Sequence, residues 1–130
     1  MSNIVKQEGV FKMKPTELDC LLQSLGITPH YLGYCYLKEA VLMAAEDPDR
    51  IRHIRRQIYL PIAVRHQVSL ESVEKNLRTV RDVVLKHYDP EAFARLLGFQ
   101  RQDFETLYPR ELIFYLSQAY SSLSPAAVAS

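Results

Sequence analysis

Residues Pro61 to Leu85 read PIAVRHQVSLESVEKNLRTVRDVVL, a short helical segment followed by a tight turn and a longer helix. In the longer helix, apolar residues recur at alternating steps of three and four, which at 3.6 residues per turn places them in one stripe. They are Leu70, Val73, Leu77, Val80 and Val84. Because such a stripe must be buried, the segment predicts two packed helices in the order of a helix-turn-helix DNA-binding motif.

The ends of both helices carry recognisable signals. Pro61 suits the first turn of the shorter helix, where its missing N–H would be unpaired in any case. Ser69 is a good N-cap for the longer helix, with Val68 and Val73 at the two positions of a hydrophobic staple. The turn contains no glycine, and any two packed helices can produce this spacing, so spacing alone leaves the motif open.

The face of the longer helix opposite the apolar stripe is polar and of mixed charge. At 100° per residue it carries Glu71, Lys75, Arg78, Thr79 and Asp82, with Ser72 and Lys86 beside them. If the segment reads DNA, these are the side chains that would meet a groove.

Charge is distributed unevenly along a chain whose net charge is only +1. From Arg50 to His87, nine Lys or Arg stand against three Asp or Glu, a charge of +6, whereas the rest of the chain carries −5. Such asymmetry suits a protein that turns one face towards phosphates while remaining nearly neutral overall. A basic but merely solvated helical face is the alternative interpretation.

The remaining segments also have helical patterns. Helices are predicted from Thr16 to a stop at Gly26, from a Thr28-Pro29 cap to about Glu46, from Pro48 onward, from Asp89-Pro90 to Gly98, and from Pro109 onward. No segment reads as a strand. We therefore expect an all-α fold, a compact domain of six to seven helices over residues 15–122, between flexible tails at 1–14 and 123–130.

Several classes of function find no support in the residues. Cys20 and Cys35 lie in apolar helical patterns without CxxC or Cys/His spacing, which favours reduced core thiols over a disulfide or a metal site. The four histidines are scattered, and no nucleophile or acid/base pair stands out, so neither an enzyme nor a cofactor is predicted. With no run of 18 apolar residues and no signal-peptide core, the expected location is the cytoplasm, away from membranes.

Four segments carry a resemblance to a known family. They are Leu25 to Val41 (LGITPHYLGYCYLKEAV), Ile58-Tyr59 through Ile62-Ala63, Val73-Glu74-Lys75 through Leu77-Arg78, and Leu96-Leu97-Gly98-Phe99. Over roughly Leu18 to Tyr120 the chain resembles the C-terminal DNA-binding domain of the sporulation response regulator of endospore-forming Firmicutes, stage-zero sporulation protein A.

This resemblance implies a six-helix fold that inserts the second helix of its helix-turn-helix into the major groove, with two domains head to tail on adjacent sites. It places Glu74, Lys75 and Arg78 at positions that face bases or phosphates. Ser72 stands where the family has an arginine, and Thr79 where it has a histidine. Serine cannot reproduce the bidentate contact of arginine with guanine, which is worth about 1–3 kcal/mol of discrimination.

The leading hypothesis is a transcription regulator that binds double-stranded DNA. Its candidate contacts are Ser72, Glu74, Lys75, Arg78, Thr79, Arg65, Arg55 and Arg56, with Arg50 and Arg52 also available to phosphates. A homodimer on DNA, or contact with RNA polymerase or a sigma factor, remains open. The family's receiver domain would precede this one, and only about 15 unpatterned residues do so here, so we expect a domain without phosphorylation control in cis.

The competing hypothesis is a degenerate relative that keeps the fold but acts through protein contacts, modulating a full-length regulator. It is motivated by Ser72, by the missing receiver domain and by the acidic residues near Lys75 and Arg78. Fold alone does not decide between the two.

Overall fold

The computed structural model of the protein describes residues 16–87 and 107–123, together with Arg95. Within these ranges all regular structure is helical and no strand is present. The α-helices are α1 (Glu17–Ser24), α2 (Leu32–Glu46), α3 (Leu60–His66), α4 (Leu70–His87) and α5 (Pro109–Leu123), and a 3₁₀-helix (Pro48–His53) and a π-helix (Arg55–Tyr59) join α2 to α3. The all-α prediction is confirmed. Of the helix predicted between Asp89 and Gly98, only Arg95 is among the described residues, and it is helical.

Helix α1 begins and ends where its sequence signals predict. Thr16 and Asp19 form a capping box, in which each side chain accepts from the backbone N–H of the other, at 3.0 and 3.1 Å. After the helix, Gly26 adopts a left-handed conformation with φ of 87°, and the N–H of Ile27 donates to the carbonyl of Leu22 at 3.2 Å. The chain is thereby turned sharply, and Ile27 is fully buried.

Helix α2 is the central helix and packs mainly against α4 and α5. It begins at Leu32 and not at the Thr28-Pro29 pair, so the predicted start is wrong. The reason lies in a separate turn: the N–H of Tyr31 donates to the carbonyl of Thr28 at 3.2 Å, while the hydroxyl of Thr28 contacts the ring of His30 instead of capping a helix. The helix does end at Glu46, as predicted.

Gly33 allows α2 and α4 to approach closely. A Cβ atom at this position would lie 2.4 Å from the backbone oxygen of Asn76 and 2.7 Å from a methyl carbon of Val80. No side chain fits at these distances without moving α4. The absence of a side chain at Gly33 therefore sets the spacing of the two helices.

The chain between α2 and α3 is helical but irregular. Asp47 caps the 3₁₀-helix by accepting from the N–H of Asp49 at 3.1 Å, which confirms that a helical segment opens at Pro48 and corrects its type. In the π-helix, the N–H of Leu60 donates to the carbonyl of Arg55, five residues earlier. Ile54 and Ile58 are buried, and the partly buried Ile51 packs against the same core.

Pro61 does not open a new helix, contrary to the prediction. Tyr59 and Leu60 already have helical backbone angles, so α3 runs on from the π-helix without a break. A proline inside a helix cannot donate to the carbonyl four residues before it, here that of Gln57, and its ring crowds that carbonyl. The wider π-turn accommodates both effects.

A three-residue turn joins α3 to α4. Gln67 adopts the left-handed conformation, with φ of 58°, and the N–H of Val68 donates to the carbonyl of Ala63 at 3.0 Å. This is the helix-ending geometry that usually calls for glycine, achieved here by glutamine. Ser69 then caps α4 by accepting from the N–H of Ser72 at 3.0 Å, as predicted.

The core is formed by one cluster of apolar side chains from all five α-helices and the irregular segment. Of the predicted stripe on α4, Val73, Leu77, Val80 and Val84 are at most 1% exposed and Leu70 packs against them.

Cys20 and Cys35 are free thiols, as expected, but both are exposed, so their assignment to the core is wrong. Each faces outward because its neighbours in sequence occupy the buried side of the helix. None of the described helices combines the length and apolarity needed to cross a membrane.

Candidate nucleic-acid interface

Helix α4 presents a polar face to solvent because the apolar stripe on its opposite side is buried in the core. Lys75, Arg78 and Thr79 are exposed on that face, and Ser72 is half-buried near its beginning. The hydroxyl of Thr79 donates to the carbonyl of Lys75 at 3.1 Å, so it is partly satisfied within the helix. These four predicted site residues therefore share one accessible surface.

Lys75 and Arg78 are the cations most available on this face. Among the residues that the structure describes, neither forms an ion pair or a side-chain hydrogen bond. The acidic residue Asp82, further along the helix, pairs with Arg81 at 2.8 Å. Within the described ranges, the positive charges of Lys75 and Arg78 are thus free to meet an anionic ligand.

Glu74, in contrast, already has a partner within the protein. Its carboxylate accepts from the Nε of Arg55 at 2.6 Å, and its side chain is only 20% exposed. A charge-assisted bond of this kind costs more to break than an open surface pair because one partner is largely shielded from water. The pair links the π-helix to α4 and leaves Glu74 little freedom to contact a base.

The remaining predicted contacts lie on the segments before α4. Arg56 is exposed and, within the described part of the chain, unpaired. Arg65 is also exposed at its tip, although its Nη1 donates to the carboxylate of Glu39 at 2.8 Å. The structure thus brings Arg55 next to the face of α4, while Arg65 is engaged on the side of α3 that meets α2.

A groove beside Arg78 includes residues that the sequence did not single out. It has a volume of about 450 Å³, and is lined by Ile54, Arg55, Tyr59, Glu74, Arg78, Arg81, Tyr108, Pro109 and Arg110. A second groove of about 300 Å³ adjoins it and is lined by Arg52, His53, Ile54, Arg55, Arg56 and Arg110. Among the described residues, the linings of the two grooves contribute six arginines and one carboxylate, that of Glu74.

Two of these arginines were missed for different reasons. Arg110 lies in the first turn of α5, and its sequence context indicated only a helix start. Arg81 donates from Nη1 to the carbonyl of Leu107 at 3.0 Å and holds the segment before α5 against α4. No local signal in the sequence predicts either position, because tertiary packing of α5 creates the groove.

Tyr59 lies at the back of the larger groove. Burial, followed by the negative charge of Glu74, raises the pKa of its hydroxyl to about 12, although Arg110 and Arg78 act in the opposite direction. The phenol is therefore uncharged at neutral pH, and the positive charge of the groove is not reduced by it.

Comparison with known protein families matches residues 18–118 to the family described as sporulation initiation factor Spo0A C terminal. No solved structure matches the chain. The match covers most of the 130 residues and includes α2, the α3–α4 pair and most of α5. The chain belongs to the sporulation initiation factor Spo0A C-terminal family, the DNA-binding effector domain of a sporulation transcription regulator.

Proposed function

We propose that this chain is a transcription regulator that binds duplex DNA sequence-specifically, with α3 and α4 forming a helix-turn-helix and α4 entering the major groove. The observation that carries the proposal is the exposure of Lys75 and Arg78 without a carboxylate partner among the described residues. Both lie in the first half of α4, the part of a recognition helix that approaches base edges. The expected location is the cytoplasm, where the DNA is accessible.

The arginine-lined grooves supply the contacts that a reading helix needs beside it. Phosphate contacts position a protein on DNA, whereas side chains on base edges select the sequence. Arg55 and Arg110 line a groove together with Arg78 of α4, and Arg56 lines the groove that adjoins it. These flanking arginines suit contacts with phosphates, whereas Arg78 and Lys75 suit contacts with bases. Ser72 can exchange only single hydrogen bonds with a base, so specificity differs here from that of relatives with arginine at this position.

The test is binding of a randomised pool of duplex DNA, followed by sequencing of the bound fraction and anisotropy titrations at two salt concentrations. Lys75→Ala with Arg78→Ala should weaken binding more than tenfold and flatten the salt dependence, because two cations no longer displace counterions. Lys86→Ala provides a comparison: it removes one exposed cation at the far end of the same helix, and should weaken binding less than either Lys75→Ala or Arg78→Ala alone.

All three substitutions are at exposed positions, so the thermal unfolding midpoints should remain close to that of the parent protein. Duplex affinity that is unaffected by the double substitution would refute the assignment of α4 as the reading helix.

A second candidate function is protein binding by a relative that has lost DNA recognition. It is favoured by two apolar residues on the outward side of α3, Leu60 at 45% and Val64 at 69% exposed. Both would be covered in a complex with another protein. No duplex affinity at low salt, together with a stable protein complex that is lost on Val64→Asp, would favour this function over the first.

A further inference from the structure

A second cluster of polar side chains lies on the other side of α3, away from the grooves. Cys35 and Glu39 are one turn apart on α2, and His66 is the last residue of α3. Nε2 of His66 lies 2.7 Å from one carboxylate oxygen of Glu39, and Sγ of Cys35 lies 3.4 Å from the same oxygen. One thiol, one imidazole and one carboxylate therefore converge on a single point.

The spacing of the three groups fits tetrahedral metal coordination. All three ligand atoms lie within 4.8 Å of one another. Zinc bonds of roughly 2.0–2.3 Å in a tetrahedral arrangement separate neighbouring ligand atoms by about 3.3–3.8 Å. Small side-chain rotations would bring these atoms to such separations, and the backbone of α2 and α3 need not move.

Contacts around the cluster hold two of the ligands in place. Arg65 donates to the other oxygen of Glu39 at 2.8 Å, which leaves the oxygen facing Cys35 and His66 for a ligand. The ring of His66 packs edge-on against Tyr36 at a centroid distance of 5.1 Å. Outer contacts of this kind orient metal ligands in proteins and increase affinity.

We propose that Cys35, Glu39 and His66 form a binding site for a divalent cation of the zinc class, with its fourth position open to water or an added ligand. Mixed sulfur, nitrogen and oxygen ligands favour zinc over magnesium or calcium, which prefer oxygen alone. A thiolate and a carboxylate would balance the charge of the cation.

Metal binding at this site must release a proton. Cysteine binds a cation as its thiolate, so the bond from Sγ of Cys35 to the cation forms as the S–H bond breaks and its proton passes to solvent.

Titration of the full chain with Co²⁺ and Zn²⁺ tests the proposal. Co²⁺ should produce the absorption of a tetrahedral site with a thiolate charge-transfer band, and Zn²⁺ should displace it. In weakly buffered solution each Zn²⁺ bound should release about one proton from the thiol. A wild-type protein that gives no thiolate band and releases no proton would overturn the proposal without any variant.

Matched variants assign the ligands. Cys35→Ser should abolish the charge-transfer band, and Cys35→Ser or His66→Gln should weaken Zn²⁺ binding at least tenfold. Cys20→Ser and His30→Gln remove an exposed thiol and an exposed imidazole elsewhere on the surface. These two variants should leave the charge-transfer band and the affinity for Zn²⁺ unchanged. Equal losses in the control variants would indicate scattered surface binding and refute the site. Melting temperatures in chelator establish that each variant is folded.

Discussion

Asp19 illustrates how much one side chain contributes to this fold. Its carboxylate accepts from the hydroxyl of Tyr34 at 2.5 Å, from Lys38 at 3.0 Å and from the backbone of Thr16 at 3.0 Å. Burial by itself would raise the pKa of Asp19, but these hydrogen bonds outweigh it and hold the pKa well below its usual range. Burial and the same bond raise the pKa of Tyr34 to about 12. The carboxylate thereby ties the start of α1 to α2.

Replacing this carboxylate should make the protein less stable in a pH-dependent way. Because the folded-state pKa of Asp19 is lowered, its contribution is complete above the ordinary value of about 4 and is lost as pH falls below it. At pH 7, Asp19→Asn should lower the free energy of unfolding by about 1–3 kcal/mol. The parent and variant curves of stability should converge from pH 4 towards pH 2 in urea titrations.

Asp49→Asn is the matched control for Asp19. The Asp49 side chain is 81% exposed and its nearest cation, Arg52, is 3.9 Å away, so the substitution should change stability by less than about 0.5 kcal/mol. A constant difference between the Asp19 variant and the parent at all pH values would contradict the assigned role of the charge.

At the scale of helices, the contact of α2 with α4 determines where the polar face of α4 lies. Gly33→Ala would place a Cβ against the backbone of Asn76, and α4 would have to move. We expect a loss of about 1–3 kcal/mol in unfolding free energy, together with weaker DNA binding because the face is displaced. Chemical denaturation and anisotropy would measure the two effects.

Leu32→Ala provides the comparison for Gly33→Ala. It changes the neighbouring residue of the same helical turn, and Leu32 is 65% exposed, so little packing is lost. Equal stability of the Gly33 variant and the parent would mean that the two helices tolerate a larger separation.

Periodic patterns and local signals predicted the elements that depend on them. The stripe on α4, the Ser69 cap and the ends of α1 follow from residues adjacent in sequence. The start of α2 and the π-helix could not be predicted from the sequence. In each case alternative backbone hydrogen bonds compete, and a single residue such as Thr28 or Pro61 favours one of them without deciding the outcome. Similarly, Glu39 and His66 are 27 residues apart, and only the packing of α3 on α2 brings them together.

For the molecule as a whole, the separation of charge is the feature most relevant to DNA binding. The arginine-lined grooves collect basic residues from the 3₁₀-helix, the π-helix, α4 and α5 on one surface. Of the lining residues that the structure describes, Glu74 alone carries a carboxylate. It therefore holds the side chain of Arg55 in place and lowers the positive potential of the surface.

Removing that charge should strengthen DNA binding. We propose that the role of Glu74 is to hold Arg55 and not to contact a base. Glu74→Gln should therefore increase duplex affinity about three- to tenfold and steepen its salt dependence, because Arg55 becomes free to bind a phosphate. Glu17→Gln, at an exposed position on α1, controls for the change in net charge. A loss of affinity on Glu74→Gln would instead indicate that Glu74 accepts a hydrogen bond from a cytosine.

The wide turn between Arg55 and Tyr59 holds one more residue than a regular helical turn would. Loss of a single codon there, such as that of Gln57, would restore ordinary winding and rotate the residues before it by about 100° about the helix axis relative to α3. Because the buried Ile54 and the central helix α2 precede this turn, such a rotation would misplace core side chains and should destabilise the fold. The extra residue therefore fixes, in one step, the direction of the guanidinium groups of Arg52 and Arg55 and the position of Ile54 in the core.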